Sequence, residues 1–258
     1  MTINLISDIH CRNKSLPPNL HFEQLAPADV LVIAGDLGTY PARNKILDNI
    51  KKNYTGEHYQ FKHLVYCWGN HDYYVTDRWW LKKHFDIYQG PSISDNHVDV
   101  IDDVAFICST MWSFIYDHSK ITAGMNDYVY IPTLTSYQST ELFEKNAKWI
   151  LDMIELYKGM NKKTVVVTHH LPHPQTISED YRRGPNSELN EAFCVLKQSW
   201  FDAFEKAGVD LWLHGHSHQF SDQMIGTTRY VRNPFGYDWA RIQEWQYTGF
   251  KYNCVLEI

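Results

Sequence analysis

Cysteine pairs at the C-x-x-C spacing are absent from the sequence, and its five cysteines, an odd number, are scattered along 258 residues. This pattern favours neither a zinc knuckle nor a disulfide framework, and it fits a reducing compartment. The sequence also lacks any run that approaches the roughly 18 apolar residues of a membrane span. Its opening residues, MTINLISDIH, carry no basic region and reach Asp8 before an apolar leader could develop. We therefore expect a cytoplasmic protein that does not associate with membranes.

Low-complexity tracts, internal repeats and linkers rich in proline, glycine or serine are absent as well, so we expect one domain over residues 1–258. Neither sign of charge dominates, since 30 acidic and 24 basic residues give a formal net charge of -6. A basic footprint for a nucleic-acid backbone is therefore missing. This disfavours nucleic-acid binding without excluding it, because bound metal ions can reverse the field of a site.

Short apolar, β-branched runs recur along the chain, and their near-continuous apolarity predicts strands that are covered on both faces. They span residues 3–7, 29–35, 63–69, 104–110, 164–170, 209–216 and 254–258. Helical spacing of apolar residues predicts a helix over 140–159 and another over 187–208, with Leu189 and Phe193 among the core positions of the second. Alternating strands and helices indicate an α/β sandwich. Residues 111–135 show neither period and are interpreted as a structural loop or as the wall of a binding site.

Side chains with ligand chemistry follow five of these apolar runs. They are Asp8 and His10, then Asp36, then Asn70, His71 and Asp72, then His169 and His170, and finally His214, His216 and His218. Because the carboxyl ends of strands in an open α/β sheet converge on the ligand crevice, we expect these side chains to meet. Carboxylate, imidazole and amide donors suit Mn, Fe, Zn and related divalent ions. The sequence therefore predicts a metal site at the strand ends.

Five short motifs, in order along the chain, resemble those of the calcineurin-like metallophosphoesterases. They are D-x-H at 8–10, GD at 35–36, GNHD at 69–72, His169 after a strand, and GHSH at 215–218. The resemblance spans most of the chain, and it implies a β-sandwich flanked by helices in a four-layer α-β-β-α arrangement, with a dinuclear metal centre at the carboxyl ends of the strands. It also implies the ligands of the two metals, namely Asp8, His10 and His218 for one, Asn70, His169 and His216 for the other, and Asp36 as the bridge.

A mechanism follows from the same resemblance. Two cations about 3.5–4 Å apart would lower the pKa of a water, and the metal-bridging hydroxide would attack phosphorus without a covalent protein intermediate. His71 would be the general acid that protonates the leaving oxygen, a task suited to a group that titrates near neutrality. Asp72 would support catalysis by orienting His71, or it would cap a helix predicted over 76–85.

Three assignments have alternatives. His170 competes with His169 as the ligand after its strand, and if it is not a ligand we expect it near the substrate. His214 precedes the GHSH motif and is interpreted as a supporting or structural histidine, while Gly215 is expected to provide the turn that brings the following imidazoles inward. Arg183 could pair with the phosphate of a substrate, or it could belong to a solvated charged loop.

Departures from other family patterns narrow the subclass. GDLGTYPAR and GNHDYY differ from the GDxxDRG and GNHE motifs of protein Ser/Thr phosphatases, and Thr39 stands where purple acid phosphatases have a tyrosine ligand. The segments GMNDYVYI, THHLPHPQTI, GHSH and RNPFGY look most like small, single-domain bacterial or phage members. We interpret the aromatic residues within 111–135 as packing rather than as a stacking groove for nucleic acid.

The resulting expectation is hydrolysis of a small phosphodiester or phosphomonoester, nucleotides included, with two divalent metal ions. Mn²⁺ is the first choice, and Fe, Zn, Ni and Mg are alternatives. A non-catalytic metal-binding or protein-interaction scaffold with the same fold is the alternative function, which the presence of His71 and of every ligand disfavours. Hydrolysis of another bond, such as an amide, is a third and less favoured hypothesis. The sequence does not indicate an oligomeric state.

Overall fold

The computed structural model of the protein describes residues 1–11, 15–39, 42–75, 96–132, 134–239 and 242–258. The strands within these ranges are β1 (Thr2–Ile6), β2 (Ala28–Ala34), β3 (Phe61–Cys67), β4 (His97–Ile101), β5 (Val104–Ser109), β6 (Lys163–Thr168), β7 (Leu211–His214), β8 (Ser221–Ile225), β9 (Thr228–Arg232), β10 (Asp238–Trp239), β11 (Ile242–Gln243) and β12 (Val255–Glu257). The helices are α1 (Ala42–Tyr54), α2 (His118–Gly124), α3 (Asp127–Tyr130), α4 (Ser136–Gly159), α5 (Glu179–Arg183) and α6 (Gln198–Ala207). The helix predicted over 76–85 lies outside the described residues.

The strands form two main sheets whose parallel members end on the same side of the molecule. One sheet has the order β12-β1-β2-β3, and the other has the order β4-β5-β6-β7-β9-β8. Strands β1 to β3 are parallel in the first sheet, as are β5, β6, β7 and β9 in the second. Ser7, directly after β1, forms a parallel bridge with Pro234, which follows β9. The two sheets are therefore joined at the edge where their parallel strands end.

Alternate residues of the strands face two different apolar layers. Ile3 and Leu5 of β1 pack between the sheets, in a cluster that also contains Phe106 and Val165 of the second sheet. On the outside of the first sheet, the neighbours of these residues pack against α1, and on the outside of the second sheet Trp212 and its neighbours pack against α4 and α6. Because both faces of each sheet are covered, the strands are apolar along their length. The predicted four-layer α-β-β-α fold is confirmed.

Most of the predicted elements are present in the structure. A strand is present at each of the seven predicted runs. The first and last residues of these strands differ from the predicted ones by at most two positions. The helix predicted over 140–159 is α4, which begins four residues earlier because Thr135 and Gln138 form a capping box there. The sequence does not predict β4 or β8, whose alternating polar residues are partly exposed at the edges of the second sheet. None of the helices in the described ranges is long and apolar enough to cross a membrane.

The helix predicted over 187–208 is wrong in its first half. Residues Ser187–Ala192 form a short 3-10 helix, and an α-helix exists only from Gln198. Between them the backbone pairs with Leu171, whose N–H donates to the Phe193 carbonyl at 2.9 Å and whose carbonyl accepts from the Val195 N–H at 3.0 Å. These bridging hydrogen bonds compete with the helical ones, so Leu189 and Phe193 do not lie on the buried face of a helix.

Candidate metal centre

Polar side chains from both sheets meet at the edge where the parallel strands end. Three overlapping groups of described residues each bring imidazole and carboxylate ligand atoms within 4.8 Å of one another. The groups are Asp8, His10 and His218; His10, Asp36 and His71; and Asp36, His169 and His216. Residues that are up to 210 positions apart in the sequence, as between Asp8 and His218, thus form one cluster because the strands before them are parallel.

One half of the cluster contains Asp8, His10 and His218. The His218 Nε2 lies 3.3 Å from the Asp8 Oδ1 and 3.1 Å from the His10 Nε2. Asp8 and His10 are buried, and His218 is partly buried. Two imidazole nitrogens and a carboxylate oxygen that point at one another form a donor set that suits a divalent transition metal.

The other half contains Asn70, His169 and His216. The His169 Nε2 lies 3.1 Å from the Asn70 Oδ1, and the His216 Nε2 is buried without a hydrogen-bond partner among the described residues. A buried polar atom without a partner is costly, and a cation beside it would remove that cost. The donors of this half therefore fit a metal ion.

Asp36 lies between the two halves and contacts both. Its Oδ2 is 3.6 Å from the His10 Nε2, and its Oδ1 is 3.3 Å from the His169 Nε2. The His71 backbone N–H donates to the same Oδ1 at 2.8 Å, which fixes the carboxylate. A single carboxylate that reaches both donor sets has the arrangement of a bridging ligand.

The carboxylates strongly influence the protonation of two of the histidines. Burial on its own lowers the pKa of His169, but the Asp36 carboxylate outweighs burial and raises the pKa to about 9. Burial also opposes protonation of His218, whose contacts with Asp8 and Glu244 nevertheless raise its pKa to about 10. A metal ion that binds such an imidazole displaces its proton. The carboxylates that favour the protonated imidazoles would equally attract metal cations.

Two residues outside the predicted set hold ligand side chains in place. The Glu244 Oε2 lies 2.6 Å from the His218 Nδ1, which leaves the opposite ring nitrogen facing the cluster. The Asn70 Nδ2 donates to the Asp127 Oδ1 at 2.7 Å, so the amide oxygen of Asn70 points towards His169. Sequence reasoning missed both residues, although Asp127 lies in the GMNDYVYI segment and Glu244 follows RNPFGY.

His71 lies at the open side of the cluster. Its ring stacks on Tyr74 with the centroids 4.1 Å apart, and its Nε2 lies 3.4 Å from the hydroxyl of Tyr237. The Tyr237 ring packs against the His10 ring at 4.2 Å. Tyr237 is a third residue that sequence reasoning did not place at the site, and burial raises the pKa of its hydroxyl, which stays protonated.

Asp72, which the sequence predicts to orient His71 or to cap a helix, accepts hydrogen bonds from the backbone beneath the cluster. Its carboxylate accepts the backbone N–H groups of Asp36, Gly38 and Gly69, at 2.9, 3.1 and 2.7 Å. Burial and the nearby Asp36 raise the pKa of Asp72 to about 6. Asp72 is fully buried and supports the backbone on which the site is built.

The GHSH segment turns in a different way from the one predicted. Gly215 has an ordinary φ, whereas His216 adopts the left-handed conformation with φ 70°. A Cβ atom on Gly215 would lie 2.6 Å from the Ala34 carbonyl oxygen and 2.8 Å from the Asp8 Oδ2. Glycine is thus required for close approach of the two sheets, and the turn itself is made by His216.

Several predicted residues lie away from the open side of the cluster. His170 is buried, with its Nδ1 3.1 Å from the Thr110 carbonyl oxygen, and burial lowers its pKa to about 3. Arg183 is exposed and pairs with Glu179 one helical turn earlier, at 3.2 Å. Neither is among the described residues that line the cavity next to the cluster, so their predicted contact with substrate has no support from the position of that cavity. His214 is fully buried, and its ring Nδ1 lies 3.4 Å from the Gly215 carbonyl oxygen.

A cavity of about 320 Å³ opens over the cluster. Asp36, Asn70, His71, His216 and His218 line its inner end. Residues 124–126 form part of its outer wall. Part of the 111–135 segment therefore borders the cavity, whereas its aromatic residues Trp112, Phe114 and Tyr128 pack in apolar clusters.

Comparisons with known proteins agree with this arrangement. A family model for calcineurin-like phosphoesterases matches residues 1–220. The uncharacterized protein L509 of Acanthamoeba polyphaga mimivirus is 26% identical over 267 residues, which covers 93% of this chain and 92% of that protein. The crystal structure of the phosphopantetheinyl hydrolase PptH from Mycobacterium tuberculosis shares the fold, with a TM-score of 0.64 and 16% identity over 100% of this chain and 95% of that chain.

A dimetal phosphatase from Danio rerio matches with a TM-score of 0.49 and 12% identity, over 90% of this chain and 86% of that chain.

Tyr237 and Glu244 lie beyond the segment that the family model matches, yet they contact the cluster that its motifs form. The match over residues 1–220 covers most of the 258 residues and all of the strand ends that build the cluster. The chain belongs to the calcineurin-like phosphoesterase family.

Proposed function

We propose that this protein hydrolyses a small phosphodiester or phosphomonoester with two divalent metal ions, and that Mn²⁺ is the preferred metal. The observation that carries the proposal is the position of Asp36, whose two carboxylate oxygens reach a donor set on each side. Members of the family use a dinuclear divalent metal centre, and the donors described above fit one. The cavity beside this cluster provides room for a small ester.

We assign Asp8, His10 and His218 to one metal, Asn70, His169 and His216 to the other, and Asp36 to both. When bound, the two cations would activate a water and stabilise the negative charge of the phosphoryl group. Burial lowers the pKa of both His10 and His216 well below the usual range, so both imidazoles are neutral and have a free electron pair for a metal.

His71 is the proposed general acid. Its side chain lines the cavity beside Asp36, so it lies next to any ester bound at the bridging carboxylate. Burial lowers the pKa of His71, and the negative charge of a bound phosphate would raise it again. His71 would therefore carry its proton while the substrate is present and transfer that proton to the leaving oxygen.

Tyr237 provides a second donor on the same side. Its hydroxyl lies 3.4 Å from the His71 Nε2 and lines the cavity. A phenol that stays protonated can donate a hydrogen bond to a phosphoryl oxygen as charge develops there. We assign it the role of stabilising the phosphoryl group next to His71.

The proposal is tested by assaying p-nitrophenyl phosphate and bis(p-nitrophenyl) phosphate with added Mn²⁺, on protein whose metal content has been measured. We expect hydrolysis of at least one ester and its loss on chelation. His71→Ala should keep its metal content and lose about 100-fold to 10,000-fold in turnover, whereas Asp36→Asn should lose metal. Absence of turnover in protein with both metals bound would refute the proposal.

A further inference from the structure

The wall of the cavity beyond the metal centre is apolar. Leu171, Ile177, Leu189 and Phe193 line it together with Met125. These side chains are fixed by packing, since the first two belong to one small apolar cluster and the other three pack against a second. A wall that is held in this way is already shaped to receive an apolar part of a ligand.

The apolar wall begins directly at the metal centre. The Phe193 ring stacks on the ring of His216 with the centroids 4.5 Å apart and 27° between the planes. His216 is one of the proposed ligands, so an apolar ring lies directly beside the proposed metal centre. Placing a charged group against such a surface carries a desolvation cost that no nearby partner offsets.

Amide side chains line the cavity where it meets solvent, since Asn126 and Asn186 are exposed and Asn190 is half-buried. Asn126, Asn186 and Asn190 line it, and neither Asn126 nor Asn186 uses its side chain to cap the helix that follows it. The Asn190 Nδ2 donates to the Tyr181 carbonyl at 3.0 Å, which leaves its amide oxygen as an acceptor. These groups can pair with neutral donors and acceptors on a ligand.

Positive charge is missing from the described part of the cavity wall beyond the metal centre. Apart from the histidines of the metal centre, the charged residues among the described lining are Asp36 and Glu244, both acidic. Basic side chains in neighbouring elements have other partners, since Lys120 pairs with Glu188 at 3.0 Å and Arg182 donates to two backbone carbonyls. The described wall therefore offers no ion pair to a second anionic group.

We propose that the substrate carries a single phosphate and an uncharged ester substituent, apolar beside the phosphate and bearing an amide or hydroxyl group at its far end. The phosphate end of this inference rests on the function proposed above. A cavity of about 320 Å³ has room for a small substituent of this kind. The same chemistry disfavours nucleoside polyphosphates and nucleic-acid strands, which bring further negative charge.

Two ligands of equal shape test the inference. One is an alkyl phosphonate that ends in a primary amide, and the other is the same chain ending in a carboxylate. Phosphonates are not hydrolysed, so calorimetry on the metal-loaded protein gives both dissociation constants whether or not the protein is an enzyme. We expect the amide to bind at least about tenfold more tightly.

A charge placed in the apolar wall provides the complementary test. Leu189→Lys should shift the ratio of the two dissociation constants by about tenfold in favour of the carboxylate. Leu156→Lys is the matched control, because Leu156 is 44% exposed on α4 and does not line the cavity. If the Leu189 variant does not fold, the ratio of the two dissociation constants for the wild-type protein still tests the inference.

Equal affinity for the two ligands, or tighter binding of the carboxylate, would overturn the inference. The failure of the proposed function would look different. In that case the amide would still be preferred, but neither p-nitrophenyl phosphate nor its bis-aryl analogue would be hydrolysed by the metal-loaded protein. Such a result would support the chemistry assigned to the cavity and refute the assigned reaction.

Discussion

Glu244 offers a direct test of how the metal centre is held together, because it contacts a proposed ligand without being one. Its Oε2 is 2.6 Å from the His218 Nδ1, and the two side chains are 30% and 11% exposed. A hydrogen bond of this length between a carboxylate and an imidazole is charge-assisted, and its contribution is about 1.5–3 kcal/mol. Partial exposure of Glu244 places the expected value near the lower end of that range.

We expect Glu244→Gln to weaken one of the two metal sites by about tenfold and Glu244→Ala to weaken it by up to about 100-fold. The glutamine keeps an acceptor for the His218 ring but loses the charge. The weakened site should be the one assigned to Asp8, His10 and His218. Calorimetric titration of metal-free protein with Mn²⁺ should therefore show one weakened dissociation constant and one that is unchanged.

Glu205 provides a matched control. It forms the same kind of pair, with its Oε1 2.8 Å from the His173 Nε2, outside the metal centre. Glu205→Gln should leave both metal dissociation constants at their wild-type values. If Glu244→Gln left both constants unchanged, or if the Glu205 variant lowered metal affinity as much, Glu244 would have no special role in positioning His218.

Three further perturbations test other parts of the site. Tyr237→Phe should reduce kcat by at least about tenfold with unchanged metal content, and an unchanged kcat would remove the hydroxyl from the mechanism. Gly69→Ala should lower both Tm and metal content because its Cβ would lie 2.2 Å from the Asp36 Oδ1, whereas Gly159→Ala, with open space around it, should do neither. Burial holds the pKa of His214 well below its usual range, so the unfolded chain binds more protons below about pH 6.5 and stability falls as the pH falls. His214→Leu should reduce that loss in chemical denaturation between about pH 7 and pH 5 and keep metal binding, and an identical pH dependence would contradict this explanation.

The inner part of the site was predictable because it depends on strand direction alone. Asp8, Asp36 and His169 each follow an apolar run. Parallel strands place such residues at one edge of a sheet, whatever the conformation of the connecting loops. The residues that hold the ligands were not predictable in this way. Glu244 and Asp127 lie in segments without periodicity, and their contacts exist only after the two sheets have packed.

The differences between the predictions and the structure have local physical causes. Leu189 and Phe193 have genuine helical spacing, but they pack against a small apolar cluster at the wall of a cavity, and spacing does not distinguish such a wall from the buried face of a helix. Arg183 follows Glu179 by four residues, so an ion pair along one helical turn competes with any role in binding phosphate. The RNPFGY segment also has a structural role. Its Asn233 side chain donates to the Leu5 carbonyl at 2.7 Å and so links the two sheets four residues before Tyr237.

Backbone strain at the metal centre shows how the site keeps its shape. Asp8, His10, Asp36 and His216 all adopt the left-handed conformation, with φ values of 53°, 48°, 55° and 70°. Each such residue costs on the order of 1–3 kcal/mol unless its surroundings fix it. The fixing contacts are present, because both carboxylate oxygens of Asp8 accept the His216 N–H and the Asp36 N–H donates to Asp72. The contact between Asp8 and His216 joins the turns of the two sheets, so the fold itself determines the positions of the proposed ligands.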